Sequence, residues 1–146
     1  MARPRTPEDG FSLVETLVAA ALLTTAVVTL AQLSGIAARS NMASRHLTYA
    51  TVLAAQKLEE LRALDIEALS PSPATALDES TPGWMDYVDQ AGKTLGDRSR
   101  RNSVYVRRWS IQPLAADPGH GWVIQVLVTR PPEEARLVAA RTRRAP

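Results

Sequence analysis

No cysteine occurs among the 146 residues. That excludes a disulfide framework and any thiolate metal site, and it leaves the redox compartment unmarked. Histidine is scarce too. His46 and His120 stand far apart, without HExxH or comparable ligand spacing, so each reads as structural or solvent-facing and no metal or other cofactor is expected. No Ser-His-Asp arrangement, phosphate loop or dinucleotide fingerprint is present. The adjacent acids Glu59 and Glu60 would point about 100° apart on a helix, which suits a solvated face better than a catalytic pair. The chain is therefore not expected to be an enzyme. A further absence is of charge: from Thr16 to Ala38, 23 residues, there is no Asp, Glu, Lys or Arg. As a helix, such a run is long enough to cross a hydrocarbon core of roughly 30 Å.

What is present fits one small domain plus an anchor. Apolar residues make up 45% and charged residues 22%, a balance that argues against a disordered polymer. The net charge of +2 is too small to imply a nucleic-acid or membrane-surface partner for the whole chain, but its distribution is uneven. Over residues 59–97, nine acids against Arg62 and Lys93 leave −7, whereas over residues 98–146 ten arginines against Asp117, Glu133 and Glu134 leave +7. Blocks of opposite sign can pair within one subunit or between neighbours.

Composition divides the chain into segments. Residues 1–10, MARPRTPEDG, are short, polar and broken by Pro4 and Pro7, as a leader would be. Residues 11–38 form the apolar run, without proline and with only Gly35 as a flexible point, and read as a membrane helix. Over residues 39–69 the pattern turns amphipathic: Leu47, Ala50, Ala54, Leu58 and Leu61 recur at steps of three and four, with Arg45, Lys57, Glu59, Glu60 and Arg62 between them. Ser70-Pro71-Ser72-Pro73 then stops the helix. Uninterrupted from Phe11 to Leu69, it would be on the order of 90 Å long at about 1.5 Å per residue, more than a small globular domain can bury.

Residues 70–102, rich in Pro, Ser, Asp and Gly, read as a connecting loop region, after which the period changes to two. In SVYVRRWSIQ (103–112), Tyr105, Trp109 and Ile111 share one face, interrupted by Arg107, and Val104 and Val106 share the other. In WVIQVLVT (122–129) the alternation is cleaner, with Trp122, Ile124, Val126 and Val128 on one side. Asp117 to Gly121 supplies turn chemistry between these strands, and Pro131-Pro132 precedes a weaker run, 135–143. Residues 103–146 are thus expected to form an antiparallel β-meander. The fold class expected is α+β: a long N-terminal helix, half transmembrane and half amphipathic, packed through its Leu47-to-Leu61 face on a small antiparallel sheet.

Glu15 sits at the edge of the apolar run. As part of an uncleaved signal anchor it would lie at the headgroup level, where a carboxylate costs little. A cleavable secretory signal fits less well, because the run is about twice the usual apolar core and no small-x-small site interrupts it. Deeper in the membrane, an acid is expensive unless it has a partner, and no Lys or Arg lies near Glu15 within the helix.

The residues Gly10-Phe11-Ser12-Leu13-Val14-Glu15, after a short polar leader and before a long apolar helix, resemble the type IV prepilin signal. That resemblance implies cleavage by a prepilin peptidase between Gly10 and Phe11 and N-methylation of Phe11. It also implies an assembly role for Glu15, paired with the terminal amine of Phe11 on a neighbouring subunit. AAQKLEELRAL (54–64) and the Trp-containing strands are similar to the V-type minor pilins and the I-type minor pseudopilin of type II secretion. The function implied is a minor pilin or pseudopilin of a type IV pilus, type II secretion or DNA-uptake filament. The partners implied are other pilin or pseudopilin subunits, the prepilin peptidase, an inner-membrane assembly platform, and membrane lipid before assembly. The localisation implied is the bacterial inner (cytoplasmic) membrane, single-pass with the C-terminal domain extracytoplasmic, and then the filament.

Departures from the family accompany these matches. Gln32 stands where many major pilins have a kinking proline, and the common C-terminal disulfide is impossible, which tilts the reading toward a minor subunit. Glu8 and Asp9 flank the cut where basic residues are usual, and Arg39 and Arg45 blunt the positive-inside signal of Arg3 and Arg5. A different reading is a single-pass anchored binding module that does not polymerise. A third makes DNA a partner, through Arg98, Arg100, Arg101, Arg107 and Arg108 with Tyr105 and Trp109; its plain counterpart is a solvated strand face that pairs with the acidic loop of residues 78–97.

Overall fold

A computed structural model describes residues 11–96 and 101–142. The chain falls into two compact units, Met1–Asn41 and Met42–Pro146. Helix α1 (Leu13–Ala63) begins in the first and ends in the second.

In the first unit, every described residue of the apolar run is exposed, including Leu17, Leu22, Val27 and Leu33. Mean hydropathy reaches 2.0 over an 18-residue window with none of it buried, so the helix is long and apolar enough to cross a membrane. Its hydroxyls are satisfied within the helix. The hydroxyls of Thr24 and Thr25 both donate to the Ala21 carbonyl, Thr29 to Thr25 and Ser34 to Leu30, at 2.8–2.9 Å. In hydrocarbon, where no water is available, this local bonding is what makes hydroxyls tolerable.

In the second unit, Ala50, Leu53, Ala54, Lys57, Leu58 and Leu61 are the buried residues of α1, an i, i+3, i+4, i+7 stripe. Leu47, expected on that stripe, is instead exposed, because the buried stripe begins only at Ala50 and Leu47 lies about one turn before it. The helix stops at Ala63, six residues before the expected Leu69, and a single 3-10 turn (Ile66–Ala68) follows Asp65, whose backbone is extended. The Arg141 guanidinium donates to the Leu64 carbonyl, satisfying an acceptor that the ended helix leaves without an N–H.

The buried stripe packs on an antiparallel five-stranded sheet of β1 (Met85–Val88), β2 (Thr94–Gly96), β3 (Tyr105–Leu114), β4 (Asp117–Arg130) and β5 (Glu133–Thr142), in the order β2-β1-β3-β4-β5. Ile124, Val126 and Val128 of β4, Val88 of β1, and Tyr105, Trp109 and Ile111 of β3 complete the core. The α+β layout of one long helix and an antiparallel sheet is therefore present, and β3, β4 and β5 overlap the three runs read in the sequence.

Two strands lie where a connection was expected: β1 and β2 are both inside residues 70–102. They are three or four residues long and joined by a tight turn in which Asp89 Oδ1 accepts the Ala91 and Lys93 N–H groups and Gly92 takes φ +83°. Beyond the end of β1, the edge of β3 is covered by Ser72, which exchanges hydrogen bonds with the Ile111 backbone at 2.8 and 3.1 Å. The turn chemistry of Asp117 to Gly121 also lands elsewhere. The β3–β4 turn is made at Ala115-Ala116, and the pairing jumps from Pro113↔Trp122 to Leu114↔Asp117, so residues 118–121 bulge out of β4 without partners on β3.

Candidate functional site

The N-terminus of α1 carries a locally closed arrangement. Ser12 precedes the first helical residue; its Oγ accepts the Val14 N–H at 3.2 Å, and Glu15 Oε2 accepts the Ser12 N–H at 3.3 Å. This is a capping box, in which two otherwise orphaned donors are satisfied reciprocally and a carboxylate faces the positive end of the helix dipole. The spacing Ser12-x-x-Glu15 carries that signature in the sequence itself, beside the position of Glu15 at the edge of the apolar run. Phe11 beside it is 86% exposed. Gly10 lies outside the described residues.

The described arginines among those expected to contact nucleic acid are not brought together. Arg98 and Arg100 lie outside the described residues, and Arg101 is exposed. Arg107 is 3% exposed. Its Nε and Nη2 grip both carboxylate oxygens of Asp86 at 2.9 and 2.7 Å, and Nη1 donates to the Leu53 carbonyl of α1 at 3.3 Å. Asp86 is its direct cross-strand partner. An arginine held in this way inside the core has no face left for a phosphate, so its assignment as a nucleic-acid contact is corrected to a structural one. The pair also joins the acidic block to the basic block within a single subunit. Arg108 points to the opposite sheet face, half-buried between Met85 and Leu127 in register, with a buried Nε that lacks a partner among the described residues.

Lys57 is a second buried cation among the described residues. Its ammonium lies 2.7 Å from Glu60 Oε1 and 4.2 Å from the centre of the Trp109 ring, a placement in which the stem fills apolar space while the charge keeps two partners. His120 pairs with Asp117 at 3.0 Å on the exposed bulge of β4.

A third group was not foreseen. Met42, Arg45, His46 and Tyr49 follow one another at i, i+3, i+4 and i+7 on α1, and with Gln90 of the β1–β2 turn and Tyr105 of β3 they line a partly open cavity of about 340 Å³. His46 Nδ1 is 3.1 Å from the Tyr105 hydroxyl. Burial pushes that hydroxyl above the usual tyrosine range, with Arg130 acting the other way, so Tyr105 stays protonated at neutral pH. The spacing of the helical residues was visible in the sequence; Tyr105 and Gln90 reach them only through the sheet.

Among the described residues, no group of three His, Cys, Asp or Glu side chains is placed to hold a metal ion. Comparison of the chain with protein-family models, with characterised proteins and with solved structures gives no match.

Proposed function

We infer that this chain is a minor pilin or pseudopilin. In this reading a prepilin peptidase cuts between Gly10 and Phe11 and methylates Phe11, the apolar run holds the subunit in the bacterial inner membrane, and the second unit stays extracytoplasmic until the subunit joins a pilus, secretion or DNA-uptake filament. The observation that carries it is the conjunction, within one short stretch, of a polar leader ending in Gly10, Phe11 at the cut, Glu15 four residues later and 23 uncharged residues after that. The exposure of that run on a helix long enough to span a bilayer supports the same reading.

The first test is intact and N-terminal peptide mass spectrometry of the membrane-extracted chain, expressed with and without a prepilin peptidase. Peptidase-dependent loss of residues 1–10 with a methyl group on Phe11 is expected; a chain still carrying its leader in both samples would sink the proposal.

One observation favours the anchored module that does not polymerise. The capping box gives Glu15 a local task needing no neighbour. Glu15→Gln separates the two, because the amide oxygen still accepts the Ser12 N–H but carries no charge. As a partner for the Phe11 amine, Glu15 is replaced by neither Gln nor Ala, and both variants fail to enter sheared filaments. Normal incorporation of Glu15→Gln beside failure of Glu15→Ala would leave Glu15 as a cap.

A further inference from the structure

The cavity around His46 and Tyr105 has a one-sided hydrogen-bonding inventory. Arg45 offers up to five N–H donors, and Gln90 an amide NH₂. Tyr49 adds a hydroxyl. When the buried Tyr105 hydroxyl donates to His46 Nδ1 at 3.1 Å, the neutral imidazole carries its proton on Nε2, a further donor. No carboxylate is among the described lining residues, although Glu133 and Arg130, one of each sign, act on Tyr105 from beside the cavity; Arg45 is exposed and has no hydrogen-bond or ion-pair partner among the described residues. An unpaired guanidinium with an imidazole, an amide and hydroxyls is a donor set for an oxyanion. The volume, about 340 Å³, is at the lower end of the roughly 300–1,000 Å³ typical of ligand sites.

The place of the cavity in the chain narrows the class of oxyanion. Met42, on its rim, follows the last residue of the uncharged run, Ala38, by four residues. Four residues span at most about 14 Å however the backbone runs. When the run occupies a bilayer, the cavity therefore lies within headgroup reach, where phosphate is the abundant anion. We propose that Met42, Arg45, His46, Tyr49, Gln90 and Tyr105 form a binding site for a phosphate anion, of the kind carried by an anionic phospholipid headgroup. This goes beyond the filament reading and does not depend on it: a chain that is never cleaved or polymerised still presents the site to the membrane in which it is anchored.

The test uses the full chain, labelled with ¹³C-histidine, in phosphatidylcholine nanodiscs. His120, paired with Asp117 on the β4 bulge, serves as the internal control. Phosphatidylglycerol is titrated into the discs in one arm, and inorganic phosphate or glycerol phosphate into the buffer in the other. The His46 resonances are expected to move saturably while those of His120 stay still. Arg45→Gln, an exposed position whose loss leaves the core intact, is expected to weaken the response at least about tenfold, and Tyr49→Phe to weaken it less. Movement with phosphatidylglycerol alone identifies the headgroup as the source, whereas movement with soluble phosphate as well makes the phosphate itself sufficient. An unmoved His46 in both arms, or an equal response in Arg45→Gln, overturns the site and assigns any change to the general potential of the membrane surface.

Discussion

Arg107 interrupts an apolar strand face, and its partner decides what that interruption means. Asp86 stands directly across on β1, and the bidentate pair is sealed between sheet and helix, with one guanidinium nitrogen on the Leu53 carbonyl. Such a pair adds little net stability over an apolar replacement, but losing one member leaves an uncompensated buried charge. Asp86→Ala is expected to destabilise the fold by about 3–5 kcal/mol. The double replacement Asp86→Leu with Arg107→Met is expected to restore most of that loss. Urea unfolding of the micelle-held chain, followed by tryptophan fluorescence, reads both values; an Asp86→Ala variant as stable as the parent would mean that water reaches the pair. The role of Arg107 was not legible in the sequence. Its charge looked like a solvent-facing break in the period, and only pairing with a residue 21 positions earlier, on a strand too short to show a pattern, turns it inward. Glu15 is the converse case: its cap partner is three residues away and was readable.

Elements whose periodicity runs for eight residues or more were readable, because their patterns repeat several times. The buried stripe of α1 and the alternation of β4 are of this kind, with Ile124, Val126 and Val128 fully buried as their spacing implies. Shorter or context-dependent features were not. β1 and β2 offer one or two alternations each, and just past the stop at Ala63 the Leu64 carbonyl is taken up by Arg141 near the end of β5. The β3–β4 connection shows how tertiary fit redirects turn chemistry. Asp117, Pro118 and Gly119 look like a turn, yet the chain turns at Ala115-Ala116 and spends the next residues on a bulge. The bulge brings Gly121 so close to Leu114 that an added Cβ would meet Leu114 Cβ and Cδ2 at 2.9 Å. Gly121→Ala is therefore expected to shift Leu114 or the bulge and to cost about 1–3 kcal/mol. The same urea measurement checks it, with Gly119→Ala, where a Cβ meets nothing within 4 Å, as the control expected to stay near the parent.

Across the whole molecule, the two units answer to different solvents. The first has no buried residue among those described and an apolar surface suited to lipid; the second holds every residue of the hydrophobic core, from Ala50 on α1 to Ala135 on β5. If the core supplies the stability of the second unit, its folding should not require the first. A chain beginning at Met42 keeps 105 residues, the whole sheet and the entire buried stripe of α1. At roughly 0.05–0.15 kcal/mol per residue, a domain of that size is expected to be stable by about 5–15 kcal/mol, with loss of the apolar run removing the tendency to associate in water. Trp109 packs against Lys57, and Trp84 and Trp122 border the core, so near-ultraviolet circular dichroism reports fixed tertiary packing. The fragment 42–146 is expected to show a structured tryptophan signal and one cooperative thermal transition that coincides in the near- and far-ultraviolet. Helical far-ultraviolet signal without a near-ultraviolet band would mean that the core closes only with the membrane unit attached, and that α1 must be treated as one structural element from Leu13 onward.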